Sequence, residues 1–347
     1  MCRKRFIFFA VVFLPTILFH IAYASSSIKP LKVIKPAHVP VGFAIFSPID
    51  SNFENVPTVH NFDFNLLYGK WYSLKGAAIS VGVGLWKGNV TGAVVSIAGN
   101  VTEGKMVGAQ ISDIYNYAKD LYGAQISVLN RAADVHLGAE IGILNTSGKV
   151  NGYQDGVVNV SGNLKGADTG IVNTSADVIG AQIGIVNLAK NVTGMQYGLV
   201  NIAKSNKFGQ IGILNIATNN AFNIYTGSGN DADAEIGMQS RSGHFFGIVA
   251  EAVRPHYDTR FGPAVSTVLG TGLQARYHRL TGYIEGRDES LFQDDPPLSL
   301  NIGATTPAWR RFLLFAQGGP SFSSGFTFQK YEFLVGLQFI LKKSSSN

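Results

Sequence analysis

A short pattern of apolar, polar and glycine positions recurs through the middle of the chain. In its clearest copies, residues 180–189 and 194–203, it reads G-x-Q-x-G, two apolar residues, Asn, any residue and Ala. The Asn returns at steps of 14 or 15 residues, at Asn116, Asn130, Asn145, Asn159, Asn173, Asn187, Asn201 and Asn215. A fixed period this short indicates a stack of similar units that bury surface against one another.

Each repeat unit is predicted to be extended rather than helical. The unit 180–193 contains two glycines and β-branched residues at apolar positions, and both disfavour a helix. Stacked in parallel register, such units form a narrow β-solenoid, and we expect ladders of Ile and Val such as Ile183 and Ile185 to fill its interior. A second apolar position recurs one period apart, at Val150, Leu164, Val178 and Val192.

The recurring polar residues and glycines are predicted to hold the stack together. We expect each Asn at a corner, where its amide can bond the Asn of the next unit or the turn backbone, and the Gln in an amide ladder. Glycine permits positive φ or close approach of layers. The second glycine of the unit stands at Gly142, Gly156, Gly170, Gly184, Gly198 and Gly212. The alternative interpretation is that the recurring Asn and Gln residues form a ligand-binding surface. The extra residue of the 15-residue step is expected near Leu137.

A different geometry would also fit the period. If each unit were one strand and its turn, the array would be an antiparallel meander, and the whole chain could be a membrane barrel with strands of about 9–11 residues. The repeats contain almost no aromatic residues at strand ends, and their apolar positions do not alternate strictly. The solenoid is therefore preferred for the array, and the barrel suits the flanking segments better.

The N-terminal segment has the pattern of a secretory signal peptide, with cleavage after Ala24. Arg3, Lys4 and Arg5 precede an apolar run at 6–18, which is short for a membrane-spanning helix, although an uncleaved anchor is the alternative. These three basic residues supply half of the net charge of +6, so the charge does not indicate nucleic-acid binding. The one cysteine of the sequence, Cys2, lies in this segment. Export without disulfides fits a bacterial periplasm or outer surface.

The rest of the chain divides by composition and pattern. We predict a linker at 25–40, N-terminal strands at 41–88, the repeat array at 89–220, a loop rich in Asn, Gly, Ser and Asp at 221–243, and C-terminal strands at 244–343. In 331–341 every second residue is apolar. The predicted fold is all-β: a central solenoid of 14-residue repeats, flanked by antiparallel strands that form one sheet or a small barrel.

The repeat resembles that of a poorly characterised family of exported bacterial surface-repeat proteins. Residues 41–50 and 61–67, with the glycine-rich hairpin after them, extend the resemblance, which covers 41–217. Membership implies a surface-associated protein without assigned chemistry. The chain departs from the repeat pattern at Ser112, Ser127, Glu140 and Asp168, and it has no lipid-modified cysteine. The resemblance therefore leaves the mode of anchoring open.

The sequence gives little indication of catalysis or of a cofactor. The turn at 270–275 resembles a dinucleotide-binding loop but lacks the alternating strands and helices around it. His136, His244, His256 and His278 show no metal-ligand spacing. The acidic loop of Asp231, Asp233 and Glu235 offers oxygen ligands to Ca²⁺, although a solvated loop that closes the solenoid is the preferred interpretation.

These patterns predict a non-enzymatic envelope protein that presents a rigid β scaffold. We expect a monomer, without nucleic acid or cofactor, at the outer membrane or cell surface of a bacterium, where it binds a surface protein or a glycan. The alternative is an outer-membrane β-barrel that conducts or transports small solutes.

Overall fold

The computed structural model describes residues 36–47, 49–50, 57–230, 232–254, 264–288, 298–323 and 326–342. The fold is all-β, with 86% of the described residues in strands, and consists of a parallel solenoid followed by a closed antiparallel barrel. Both lie in the compact unit that begins at His38. The predicted signal peptide, its cleavage site and most of the predicted linker lie outside the described residues. The described residues contain no helix long and apolar enough to cross a membrane.

Twelve strands form the solenoid, which has about 11 turns. They are β1 (Ala37–Phe46), β2 (Ile49–Asp50), β3 (Thr58–Trp71), β4 (Ser73–Ser80), β5 (Val83–Trp86), β6 (Val90–Ser96), β7 (Gly99–Ser112), β8 (Tyr115–Ile126), β9 (Leu129–Tyr197), β10 (Val200–Asn206), β11 (Gly209–Ile211) and β12 (Leu214–Ile216). The 69-residue β9 runs through several turns of the coil. Successive turns pair in parallel with like residues adjacent, so the predicted solenoid is confirmed and the antiparallel meander is wrong for the array.

The solenoid begins earlier than the predicted array boundary at residue 89. Val59 of β3 pairs in parallel with Ser73 of β4, and Leu74 pairs in parallel with Val90 of β6. The strands from β3 onward therefore continue the stack instead of forming a separate antiparallel set. In this part of the chain the aligned glycines are 16 residues apart, and Asn and Gln do not follow the later pattern, which hides the repeat from a search for a 14-residue period.

The solenoid interior is polar along two columns and aliphatic along a third. The aliphatic column contains Val150, Leu164, Val178 and Val192, all almost fully buried. Ile183 and Ile185 are 43% and 48% exposed, so the prediction that these Ile and Val ladders fill the interior is wrong. The alternation of strand faces breaks at the corner near Gly184, which turns Gln182 and Asn187 inward and leaves the isoleucines outside.

Eight strands close the barrel, and each pairs with its chain neighbour in antiparallel register while β13 pairs with β20. They are β13 (Ala221–Gly229), β14 (Ala234–Ser242), β15 (Phe245–Arg254), β16 (Ala264–Tyr277), β17 (Leu280–Asp288), β18 (Leu298–Trp309), β19 (Phe312–Phe322) and β20 (Phe328–Lys342). The predicted C-terminal barrel is thus present, but two of its strands occupy the predicted loop at 221–243. Their polar and glycine-rich composition reflects side chains that face a crowded barrel interior.

Candidate functional site

The barrel wall is apolar outside and largely polar inside. On β20, Phe333, Val335 and Leu337 point outward and are 55%, 50% and 43% exposed, whereas Glu332 and Gln338 point inward and are buried. The same alternation occurs on β17, β18 and β14, where Ile284, Ile302, Ile236 and Met238 are exposed and Glu285, Asn301, Glu235 and Gln239 are buried. A water-soluble protein usually shows the opposite arrangement.

A charged cluster inside the barrel links β13, β14 and β17. The guanidinium of Arg287 donates from Nη1 to Glu235 Oε2 at 3.3 Å and from Nη2 to the Tyr225 hydroxyl at 3.1 Å, and it also pairs with Glu235 Oε1. Its Nε lies 2.6 Å from Glu285 Oε1. The Tyr225 hydroxyl donates to Glu235 Oε1 at 2.6 Å. Because buried charges are costly unless paired, this cluster requires the strands to be assembled around it.

Further side chains fill the rest of the described barrel interior. Tyr283 donates its hydroxyl proton to Gln317 Oε1 at 2.8 Å, and Asn223 bonds both Gln239 and Gln338. Buried apolar side chains complete the packing: Phe246, Ile248, Ala250, Val268, Phe315 and Leu334. An eight-stranded barrel is just wide enough to be filled in this way, so its interior resembles a packed core and not a pore.

The two rims of the barrel differ in the length of their connections. At one rim the turns are short, between Ser242 and Phe245, Tyr277 and Leu280, and Trp309 and Phe312. The barrel sequence also starts and ends at this rim, so the solenoid joins the barrel there. At the other rim the intervals from Arg254 to Ala264 and from Asp288 to Leu298 are longer. Exposed aromatic residues occur near both rims: Tyr277, Trp309 and Phe312 at the first, and Phe326, Phe328 and Tyr331 at the second.

The predicted Asn residues of the repeat form one buried hydrogen-bonded column. Asn159 Nδ2 donates to Asn173 Oδ1 at 2.8 Å and to the Thr169 carbonyl at 2.7 Å, and the same pattern recurs from turn to turn. The second glycine of the unit leaves room for this column, because a Cβ at Gly184 would lie 2.7 Å from Asn173 Nδ2. The first glycine is equally constrained. Gly166 has φ 141°, and a Cβ there would lie 1.8 Å from the Gly152 carbonyl oxygen.

The buried Gln column contains two carboxylic acids. Gln196 donates to Gln182 Oε1 at 2.9 Å, and Gln210 donates to Gln196 Oε1 at 2.6 Å. Glu140 stands in this column and accepts hydrogen bonds from Ser147 at 2.7 Å and from Gln154 at 2.6 Å. Burial raises the pKa of the Glu140 carboxyl, an effect that these two donors oppose.

Asp168 stands two turns after Glu140 in the same column. Burial raises the pKa of Asp168 to about 7, while a hydrogen bond from Ser175 at 3.1 Å acts in the opposite direction and the charge of Glu140 adds to the rise. Its Oδ1 and the Oε1 of Gln154, one turn before it, have no hydrogen-bond partner among the described atoms. A proton on Asp168 would give its carboxyl group a hydrogen-bond donor in this acceptor-rich part of the column.

An aliphatic stripe runs along the outside of the solenoid in two adjacent rows. We use this name for Ile79, Val95, Ile111, Ile126, Ile141 and Ile183 in one row, and for Val81, Ile97, Val128, Ile143, Val157, Ile171, Ile185 and Leu199 in the other, all of them exposed. Like residues of adjacent turns lie side by side, as Ile79, Val95 and Ile111 do. Exposed apolar patches of this extent mark an interaction surface.

The structure separates the residues of the predicted calcium loop. Asp233 is exposed, whereas Glu235 points into the barrel and pairs with Arg287. Asp231 lies outside the described residues. The two described acids therefore do not converge on one ion.

Another cluster of metal-ligating side chains was missed in the sequence. Asp120, Asp134 and His136 place one ligand atom each within 4.8 Å of one another, and His136 Nε2 lies 2.9 Å from Asp120 Oδ1. His136 is the residue inserted in the 15-residue step, because Val135 pairs with Leu121 and Leu137 pairs with Tyr122. The 14-residue spacing of the two aspartates was the available signal.

Comparison of the chain with protein-family models, with curated proteins and with solved structures finds no match. The resemblance to the bacterial surface-repeat family therefore stays a prediction. The function of the protein has to be inferred from the geometry of the solenoid and the barrel.

Proposed function

We propose that this protein is an outer-membrane protein in which the C-terminal barrel spans the bilayer and holds the solenoid as a rigid scaffold. The observation that carries the proposal is the arrangement of the barrel wall, which has exposed Val, Leu, Ile and Phe on the outside and a paired Arg–Glu cluster on the inside. In a lipid bilayer, an apolar outer wall is stable in direct contact with the acyl chains. A closed barrel also leaves no strand edge with unpaired backbone groups in the bilayer.

The dimensions and rims of the barrel agree with this proposal. Its strands have 9 to 15 residues, enough for tilted strands to cross the hydrocarbon core. Aromatic side chains lie near both rims, where membrane barrels carry their aromatic girdles. Glu251 is a charged residue on the outer wall, and its carboxylate accepts a hydrogen bond from Thr267 at 2.9 Å.

The rims also suggest an orientation. Outer-membrane barrels have short turns on the periplasmic side and longer loops outside the cell. Since the chain enters and leaves the barrel at the short-turn rim, we infer that this rim faces the periplasm. The last turns of the solenoid lie beside the outer wall of the barrel, up to Leu298 at the long-loop rim. The partner of the solenoid would be a surface protein or a glycan.

The filled interior favours an anchor over a conducting pore. Side chains from β13, β14, β17 and β19 meet inside the barrel, as in the contacts of Arg287 with Glu235 and of Tyr283 with Gln317. We therefore propose a non-conducting, non-enzymatic scaffold in preference to the porin-like alternative.

The test is whether the exported chain behaves as a membrane barrel. We expect it to fractionate with outer membranes, to require detergent for extraction, and to change its gel mobility on boiling, because a closed barrel resists unfolding by cold detergent. Reconstituted protein should add no conductance to a planar bilayer. A chain that is released by a salt wash and stays monodisperse without detergent would contradict membrane insertion. Step-like conductance would contradict the anchor and support a pore.

A further inference from the structure

A cleft separates the last turns of the solenoid from the outer wall of the barrel. It has a volume of about 580 Å³, within the range of roughly 300–1,000 Å³ that ligand pockets occupy. The solenoid side presents Ile185, Leu199 and Ile213, which continue the aliphatic stripe, and the barrel side presents Leu269 and Leu298. Aliphatic side chains therefore predominate on both sides of the cleft, and Asp288 lies at its edge on the barrel side.

Direct contacts beside the cleft fix its two walls relative to each other. The Ser240 hydroxyl of β14 accepts a hydrogen bond from the backbone N–H of Asn215 at 3.1 Å and donates to the Ile213 carbonyl at 3.4 Å. At Gly247 of β15 the two backbones are so close that a Cβ would lie 2.0 Å from the Gly212 carbonyl oxygen. The walls touch at β14 and β15 and diverge over β16, β17 and β18, which leaves the gap.

The chemistry of the lining selects an apolar occupant. Leu199 and Ile185 are 53% and 48% exposed, so water in the gap would contact aliphatic surface. Covering this surface with an apolar ligand lowers the free energy. Arg287 borders the cleft, but its guanidinium is already bound to Glu235 and Tyr225 inside the barrel. A polar or anionic ligand would therefore find few free hydrogen-bond donors.

We propose that the cleft binds the acyl chain of a membrane lipid drawn from the surrounding bilayer. This inference rests on the proposed function, because the barrel side of the cleft belongs to the wall that would face lipid. An acyl chain in the gap would extend the lipid-covered surface from that wall onto the aliphatic stripe at the last turns of the solenoid.

The test uses single-cysteine probes, which the sequence allows because Cys2 is its one cysteine. In a Cys2→Ser background, Leu199→Cys is labelled with a bimane fluorophore and the full chain is reconstituted in phosphatidylcholine vesicles with brominated acyl chains. We expect bromine to quench the probe at least two-fold and an aqueous quencher to have little effect. Ile185→Cys is a second cleft probe for the case that Leu199→Cys does not fold.

Two control probes separate failure of this inference from failure of the proposed function. Leu337→Cys reports on the outer wall of β20, and Lys190→Cys reports on an exposed solenoid position outside the stripe. If Leu337→Cys is quenched by bromolipid and the cleft probes are not, the acyl-chain site is wrong and the membrane barrel stands. If Leu337→Cys is not quenched, both proposals fall. Quenching of Lys190→Cys as strongly as the cleft probes would overturn a site specific to the cleft.

Discussion

The interior of the solenoid depends on amide side chains used as repeated crosslinks between turns. Asn159 accepts from Asn145 at 2.8 Å and donates to Asn173 and to the Thr169 carbonyl, so its side chain satisfies three neighbouring groups. In a narrow coil with little room for large aliphatic side chains, hydrogen bonds of this kind prevent the cost of burying unpaired polar groups.

Replacing one amide of the column should therefore destabilise the protein strongly. We expect Asn159→Ala to lower the free energy of unfolding by about 3 kcal/mol or more, because several buried groups lose their partner at about 1–3 kcal/mol each. Urea unfolding followed by far-ultraviolet circular dichroism measures the change. Asn163→Ala, at an exposed position of the solenoid, is the matched control and should change the free energy of unfolding by less than about 0.5 kcal/mol. Equal effects of the two variants would contradict the structural role of the column.

Asp168 should make stability depend on pH. Burial raises its pKa from the ordinary aspartate value of 3.8 to about 7 in the folded protein, so between these pH values the folded state holds a proton that the unfolded state has released. Stability therefore falls as pH rises from about 4 to about 7 and stays low above that range. Asp168→Asn supplies an amide donor without a titrating proton, and should stabilise the protein at pH 8 by up to about 4 kcal/mol relative to its effect at pH 4.

The measurement is the unfolding free energy of both proteins between pH 4 and pH 8. Asp113→Asn, which replaces an exposed aspartate of the solenoid, controls for the loss of one negative charge. If Asp168→Asn changes stability by the same amount at both ends of this range, Asp168 is not held protonated.

At the scale of elements, predictions from the sequence failed where polar side chains face the interior of the solenoid or of the barrel. The period of the array predicted parallel stacking, but the assumption that apolar residues fill the interior placed Ile183 and Ile185 on the wrong side. The same assumption turned β13 and β14 into a loop, because their Asn, Gly and Glu residues face inward. Composition could not distinguish a polar interior from a solvated segment.

The outer wall of β18 gives a direct test of the lipid environment. Ile302 is 67% exposed and pairs with Ile284 of β17. In a bilayer, Ile302→Arg should lower the free energy of unfolding by about 2–4 kcal/mol, whereas Leu280→Arg, at the short-turn rim, should cost about 0–1 kcal/mol. Urea titration of the heat-modifiable gel band in vesicles measures both. Similar small effects at the two positions would mean that the wall is exposed to water.

At the scale of the whole molecule, the strand count determines where the chain enters and leaves the barrel. Eight strands return the chain to the rim where it entered, so β13 begins and β20 ends at the short-turn rim. The sequence did not reveal the full strand count, because β13 and β14 were predicted to be a loop.

The orientation of the barrel can be tested at its two rims. We expect an epitope inserted between Asp288 and Leu298, at the long-loop rim, to be accessible to antibody on intact cells. An epitope inserted between Trp309 and Phe312, at the short-turn rim, should be hidden on the same cells. Permeabilised cells serve as the control in which both epitopes are reached. The opposite pattern of accessibility would reverse the orientation.

The register of the amide columns has a consequence for how such a chain can change in length. Adding or removing one whole unit moves every later Asn, Gln and Gly onto an equivalent neighbour, so all ladder hydrogen bonds can re-form. A gain of a few residues inside a unit breaks the columns unless it falls at a tolerant corner, as at His136. Lengthening by tandem duplication is therefore the least disruptive route for this scaffold, and the barrel at its end need not change.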